Sequence, residues 1–114
     1  MKYDLSDRLE NFAANIILNY DKKPLTYAGD YLAKQLIRSS CSSALNYGEA
    51  LGASTNKDKA NKLSICLKEL RECLRNLNIQ AKAGLSKAEN LMFLKGENDQ
   101  LIRIIVTRIK NIEK

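Results

Sequence analysis

Apolar residues recur at three- and four-residue steps along almost the whole sequence, and a single proline, Pro24, interrupts the pattern. That period is the stripe of an α-helix; a strand would alternate every second residue. Four segments carry it. In the first, Leu5, Leu9, Phe12, Ile16 and Tyr20 share one face, widened by Ala13 and Ile17, and predict a helix from Leu5 to Asp21. The run Asp21-Lys22-Lys23-Pro24 ends it, because proline disfavours helix at the residue before it. The second helix is expected from Tyr27 to Leu51, with Leu32, Ala33, Leu36, Ile37 and Ala44 as its apolar side. Its middle, Ser39-Ser40-Cys41-Ser42-Ser43-Ala44, holds only small side chains. Such a run lets a neighbouring helix approach closely, and serine hydroxyls bond back to the helix backbone.

After a loop at Gly52-Ala53-Ser54-Thr55-Asn56, a third helix is predicted from Lys57 to Ala83. Its stripe is Leu63, Cys66, Leu67, Leu70, Leu74, Leu77 and Ala81, with Gly84 as C-cap. Ser86, with Glu89 three residues on, forms a capping-box signature for a fourth helix from Lys87 to Ile112. Gly96 is a weak point of that helix, and the sequence leaves open whether it breaks there. The β-branched run Ile102, Ile104, Ile105, Val106, Ile109 and Ile112 permits a strand by propensity, but the recurrence of Leu101, Ile105, Ile109 and Ile112 argues helix. The apolar arc there is wider than one buried stripe needs, and the surplus points to a contact between copies. Four helices with short connections make antiparallel neighbours. The expected fold is all-α, an antiparallel up-and-down four-helix bundle forming a single domain over residues 1–114.

Composition excludes several function classes. Hydrophobic residues at 45% and charged residues at 28% are those of a chain that folds, not of a disordered one. Residues 1–20 lack a basic segment followed by an apolar one, so no signal peptide is expected, and no run reaches the ~20 apolar residues of a membrane span. Cys41, Cys66 and Cys73 include no C-x-x-C pair and read as reduced apolar residues of a cytoplasmic protein. The absence of histidine removes the Glu-x-x-His motifs of di-metal bundles and the usual general base. Scattered glycines make no phosphate loop. Glu49 and Glu72 are a carboxylate pair of the kind that performs acid–base work or binds Mg²⁺, yet nothing else assembles around them. In a bundle such groups also accept hydrogen bonds or pair with Arg and Lys. The expectation is a protein that is not an enzyme and holds no metal or cofactor.

The net charge of +6, from 19 Lys and Arg against 13 Asp and Glu, suits a phosphate-bearing partner. On the third helix Lys57, Lys68, Arg71, Arg75 and Lys82 line one edge, while Asp58, Glu69 and Glu72 lie round the other side. Arg103, Lys110 and Lys114 add a smaller strip on the fourth. Two readings stand. A Lys/Arg strip tracks nucleic-acid phosphates with little sequence preference. Alternatively it is a solvated face with local pairs such as Lys68–Glu72, each worth a few tenths of a kcal/mol. No aromatic platform flanks it, so stacking on single-stranded bases is not signalled.

Three motifs follow in order: Gln35-Leu36-Ile37-Arg38-Ser39, Asn46-Tyr47-Gly48-Glu49-Ala50, and Ser64-Ile65-Cys66-Leu67-Lys68-Glu69-Leu70-Arg71-Glu72. Together they resemble the bacterial four-helix bundle family named for 23S rRNA intervening sequences, also labelled S23. The likeness covers Asp21 to Leu85 and weakens at both ends. The chain departs from the family at Lys59, where an aromatic residue is common, and at Arg75-Asn76, where Tyr-Trp is common. The resemblance implies a bundle that assembles as a ring-like homopentamer. Accessory proteins of diversity-generating retroelements resemble the same family and bind nucleic acid and a reverse transcriptase through a basic surface. By that analogy the partner is nucleic acid, RNA favoured, along Lys57, Lys68, Arg71, Arg75, Lys82, Arg103 and Lys110. Gln35, Arg38, Asn46, Glu49 and Glu72 are assigned to structure, as polar groups that fix how helices meet. The competing expectation is a protein–protein adaptor with no nucleic-acid role.

Overall fold

The computed structural model describes residues 4–21 and 26–113, with only the backbone of Glu113. Four helices follow in order: α1 Leu5–Tyr20, α2 Tyr27–Leu51, α3 Asn56–Ala83 and α4 Ala88–Glu113. Each start and stop has a local cause. Asp4, Thr26 and Thr55 cap the first three helices, accepting from the backbone N–H groups of Asp7, Gly29 and Asp58. Gly84 ends α3 in the left-handed conformation at φ 65°, where a side chain would be strained. Helix α1 ends at Tyr20 with Asp21 as its cap, and the Lys22–Pro24 stop signal lies outside the described residues.

At α4 one open point is answered and one expectation is corrected. The helix runs unbroken through Gly96, whose backbone stays in the ordinary helical region. Ser86 does not cap it. The Ser86 hydroxyl instead donates to Gln80 Oε1 at 2.7 Å and lies 3.3 Å from the Tyr20 hydroxyl, and α4 begins at Ala88.

Contacts run α1–α2, α2–α3, α3–α4 and α4–α1, the closed circuit of an antiparallel up-and-down bundle. The core is Leu9, Phe12, Ile16, Leu36, Leu63, Leu70, Leu77, Leu94, Leu101 and Ile105, with both Cys66 and Cys73 inside it. The serine run of α2 packs as expected. Ser40 and Ser43 are buried and donate back to the carbonyls of Ile37 and Ser40, so the close α2–α3 approach leaves no hydroxyl unpaired there. The isoleucines of α4 do not form a free apolar face: Ile102, Ile104, Ile109 and Ile112 are half-buried against the core. The exposed large apolar side chains lie elsewhere: Ile17 and Leu18 on α1, and others on α2, α3 and the first half of α4. No described helix is long and apolar enough to cross a membrane.

Polar groups tie the helices together inside this core. Tyr20 of α1 donates to Gln80 of α3, Gln80 to Asn76, and Asn76 to the carbonyl of Leu32 on α2. This chain closes one end of the bundle. The opposite end is built differently. Helix α1 has 16 residues against 25, 28 and 26 for the others. Its first turn sits beside Glu97 and Gln100, both reached by Arg8. Beyond that level, among the described residues, only α2, α3 and α4 continue.

Candidate nucleic-acid interface

Lys57, Lys68, Arg71, Arg75 and Lys82 are all exposed on α3, from its first turn to its last. At 1.5 Å per residue they span roughly 37 Å. Among the described residues none of the five is in an ion pair, while Arg8, Lys34, Arg38, Lys62 and Arg103 all are.

The reason lies on the neighbouring helix. Two of the three α3 carboxylates, Glu69 and Glu72, face α2 and are engaged there, while Asp58 in the first turn is exposed. Arg38 reaches across the α2–α3 seam and donates to Glu69 at 2.9 Å and to Glu72 at 2.7 Å. Ser39 adds a bond to Glu72 at 3.1 Å, and Gln35 accepts from the Arg38 Nε. Burial alone would raise the Glu72 carboxyl. The bonds from Arg38 and Ser39, with the charges of Arg38 and Lys68, outweigh it and hold that carboxyl below the usual carboxylate range. The same two carboxylates hold the Arg38 guanidinium above its ordinary value: the Glu72 hydrogen bond leads, burial opposes it, and Glu69 adds to it. The local pair Lys68–Glu72 is therefore not made.

Helix α4 contributes less than its sequence suggests. Arg103 is paired with Asp99 at 3.0 Å, one turn away, so its charge is partly compensated. Lys110 is exposed and, among the described residues, unpaired. Lys114 lies outside the described residues. Of the polar residues of α2, Gln35 and Asn46 bond within their own helix and Arg38 and Glu49 reach across to α3. Asn46 donates back to the Ser42 carbonyl and hydroxyl, and Glu49 pairs with Lys62 across the seam at 2.9 Å. Glu49 and Glu72 are not brought together. Their partners on the facing helix differ, and the eleven positions between Arg38 and Glu49 correspond to roughly 16 Å along α2. Among the described residues no cluster of acidic groups and cysteines is arranged to hold a metal ion.

Sequence reading missed the depth of Glu69, which is buried, and the buried amides of Asn76, Gln80 and Asn98. Asn98 donates to the Leu70 carbonyl at 3.1 Å, while its own Oδ1 has no protein partner among the described residues. A one-stripe reading assigns polar residues to solvent, and nothing local in the sequence marks these as exceptions.

Comparison with known proteins agrees with this architecture. The crystal structure of a protein of unknown function from the S23 ribosomal protein family of Bacteroides thetaiotaomicron VPI-5482 superposes with a TM-score of 0.82 at 25% identity. The alignment covers 93% of this chain and 95% of that one. No curated protein matches the chain. The family model described as 23S rRNA-intervening sequence protein matches residues 2–107. With the bundle fold and a match over residues 2–107 in agreement, the chain belongs to the 23S rRNA-intervening sequence protein family.

Proposed function

We propose that the protein is a non-catalytic, homo-oligomeric binding protein of the cytoplasm that holds RNA or DNA, RNA favoured, through phosphate contacts along α3. The observation that carries this reading is the line of Lys57, Lys68, Arg71, Arg75 and Lys82, none of them in an ion pair among the described residues, with Glu69 and Glu72 bonded to Arg38. A line of cations with no aromatic platform fits backbone contact, with register but little sequence preference. The likeness to accessory proteins of diversity-generating retroelements belongs to the same reading.

Self-assembly is supported by the outer side of the α2–α3 seam. The register fixed by Arg38–Glu72 and Glu49–Lys62 sets Tyr31 across from Ile79 and Leu45 across from Ile65. These four are 57%, 51%, 69% and 40% exposed, an apolar pair on either side of the ion pair. A ring of copies, the pentamer implied by the family resemblance, multiplies a weak strip into a strong site by avidity. The same apolar pairs also suit a protein–protein adaptor, which is the second reading.

Fluorescence anisotropy with short labelled RNA and DNA tests the strip, comparing wild type with Lys68→Glu/Arg71→Glu/Arg75→Glu. The expected result is binding to wild type whose log–log salt slope falls by about 2 in the folded triple variant, three contacts at about 0.7 each for single strands. Binding that is equal in the two proteins, or absent from both at physiological salt, overturns it and leaves the adaptor. Light scattering reads assembly separately, and a monomer refutes the ring.

A further inference from the structure

Where α1 stops short, the remaining three helices line a half-open cavity of about 390 Å³. This volume lies within the range of small-molecule sites. Its apolar side comes from Ala50, Leu63 and Ile112, and its polar side from Tyr47, Lys59 and Arg108. None of its described lining residues is a carboxylate.

The polar groups are unusual in what they lack. The Arg108 Nη1 donates to the Tyr47 hydroxyl at 2.9 Å, linking α4 to α2. Among the described residues neither Arg108, which is exposed, nor Lys59 has an ionic partner, and the one protein bond of the guanidinium is to the Tyr47 hydroxyl. Tyr47 is only 4% exposed. Its oxygen accepts from Arg108, and its own hydrogen has no acceptor among the described residues. An apolar wall facing two uncompensated cations and a spare hydroxyl donor is complementary to a molecule with an apolar body and one anionic group.

We infer that this cavity is a binding site for a small organic anion, with an apolar or aromatic body on Leu63 and Ala50 and its carboxylate, sulfonate or phosphate on Arg108, Lys59 and the Tyr47 hydroxyl. The site is distinct from the α3 strip. Lys59 lies about half a helical turn round α3 from Lys57, on the side that faces the other helices. Tyr47 and Ala50 belong to the Asn46-Tyr47-Gly48-Glu49-Ala50 motif, whose Asn46 and Glu49 secure α2 and the seam. The cavity gives the other half of that motif a task.

The test uses two fluorescent probes with the same body. 8-Anilinonaphthalene-1-sulfonate carries an anion, and N-phenyl-1-naphthylamine does not. The sulfonate is expected to bind at one site per chain and at least about tenfold more tightly than the neutral amine, the effect of one charge-assisted hydrogen bond. Lys59→Gln/Arg108→Gln should abolish that preference and leave the neutral probe's affinity unchanged. Tyr47→Phe should reduce it in part. Lys68→Glu/Arg71→Glu/Arg75→Glu should leave it intact, which separates this site from the strip. Circular dichroism verifies that each variant is folded. Equal affinity for the two probes, no sulfonate binding, or a preference that survives Lys59→Gln/Arg108→Gln overturns the inference.

Discussion

Arg38 is expected to matter more to stability than its exposure suggests, and Arg38→Met is the way to show it. The side chain is 52% exposed, but the Glu69 carboxylate it serves is only 7% exposed. Removing one partner of a fully buried pair costs about 3–5 kcal/mol, because the other charge is left in a poor solvent. Water reaches Arg38 and also Glu72, which is 40% exposed, so the second bond is screened and contributes little. The unpaired Glu69 dominates, and the expected cost is about 2 kcal/mol, discounted from the buried limit. With a urea m-value of about 1–3 kcal/mol/M, that moves the midpoint down by about 1 M. Unfolding should be followed at one fixed chain concentration, since assembly stabilises by mass action. Arg38→Met/Glu69→Leu should recover most of the loss, because an apolar pair needs no counter-charge. If Arg38→Met shifts the midpoint by less than about 0.2 M, or if the double variant adds the two losses, the reasoning is refuted.

Gly96→Ala should stabilise the protein by about 0.5–1 kcal/mol, read from the same urea curves, because a Cβ there meets nothing within 4 Å and alanine restricts the unfolded chain. Gly84→Ala should do the opposite, since its φ of 65° strains a side chain. Ellman's reagent should titrate one thiol in the folded protein, the half-buried Cys41, and three after denaturation. Burial, then the charge of Glu69, pushes the Cys66 thiol up to about 12, and burial leads the same effect at Cys73. The Glu72 carboxyl sits below its ordinary value, so its contribution is present above about pH 4.3 and is lost as pH falls through the folded value. The stability gap between wild type and Glu72→Gln should therefore narrow in acid-denaturation curves as pH falls through that lowered value.

The helices were legible because their signals are local. The α2 span Tyr27–Leu51 and the Gly84 cap follow from period and backbone sterics alone, and Cys66 and Cys73 follow from the α3 stripe. What was not legible depends on partners far along the chain. Ser86 has a capping-box signature, yet Gln80 and Tyr20 claim its hydroxyl. Glu69 and Asn76 look like surface residues until Arg38 and the Leu32 carbonyl are set opposite them. Ala81, assigned to the stripe, is exposed, while Gln80 takes the inward position one residue earlier. The strip was readable as exposed charge. That it stays unpaired was not, because the engagement of Glu72 is decided on α2. Lys59 was noted only as a departure from the family pattern and Arg108 was not singled out at all, since they lie 49 positions apart and meet only where the cavity forms.

The shortness of α1 also sets how the molecule breathes. Where four helices meet, Tyr20, Gln80 and Asn76 lock three of them, and backbone amides there should exchange only on global unfolding. At the far end each helix has fewer neighbours, so the last turns of α2 and α4 and the first of α3 form a separate, less stable cooperative unit. The cavity lies wholly within that unit. Partial opening of this end and admission of a ligand are then one motion, and a bound ligand would slow hydrogen exchange there while leaving the Tyr20 end unchanged.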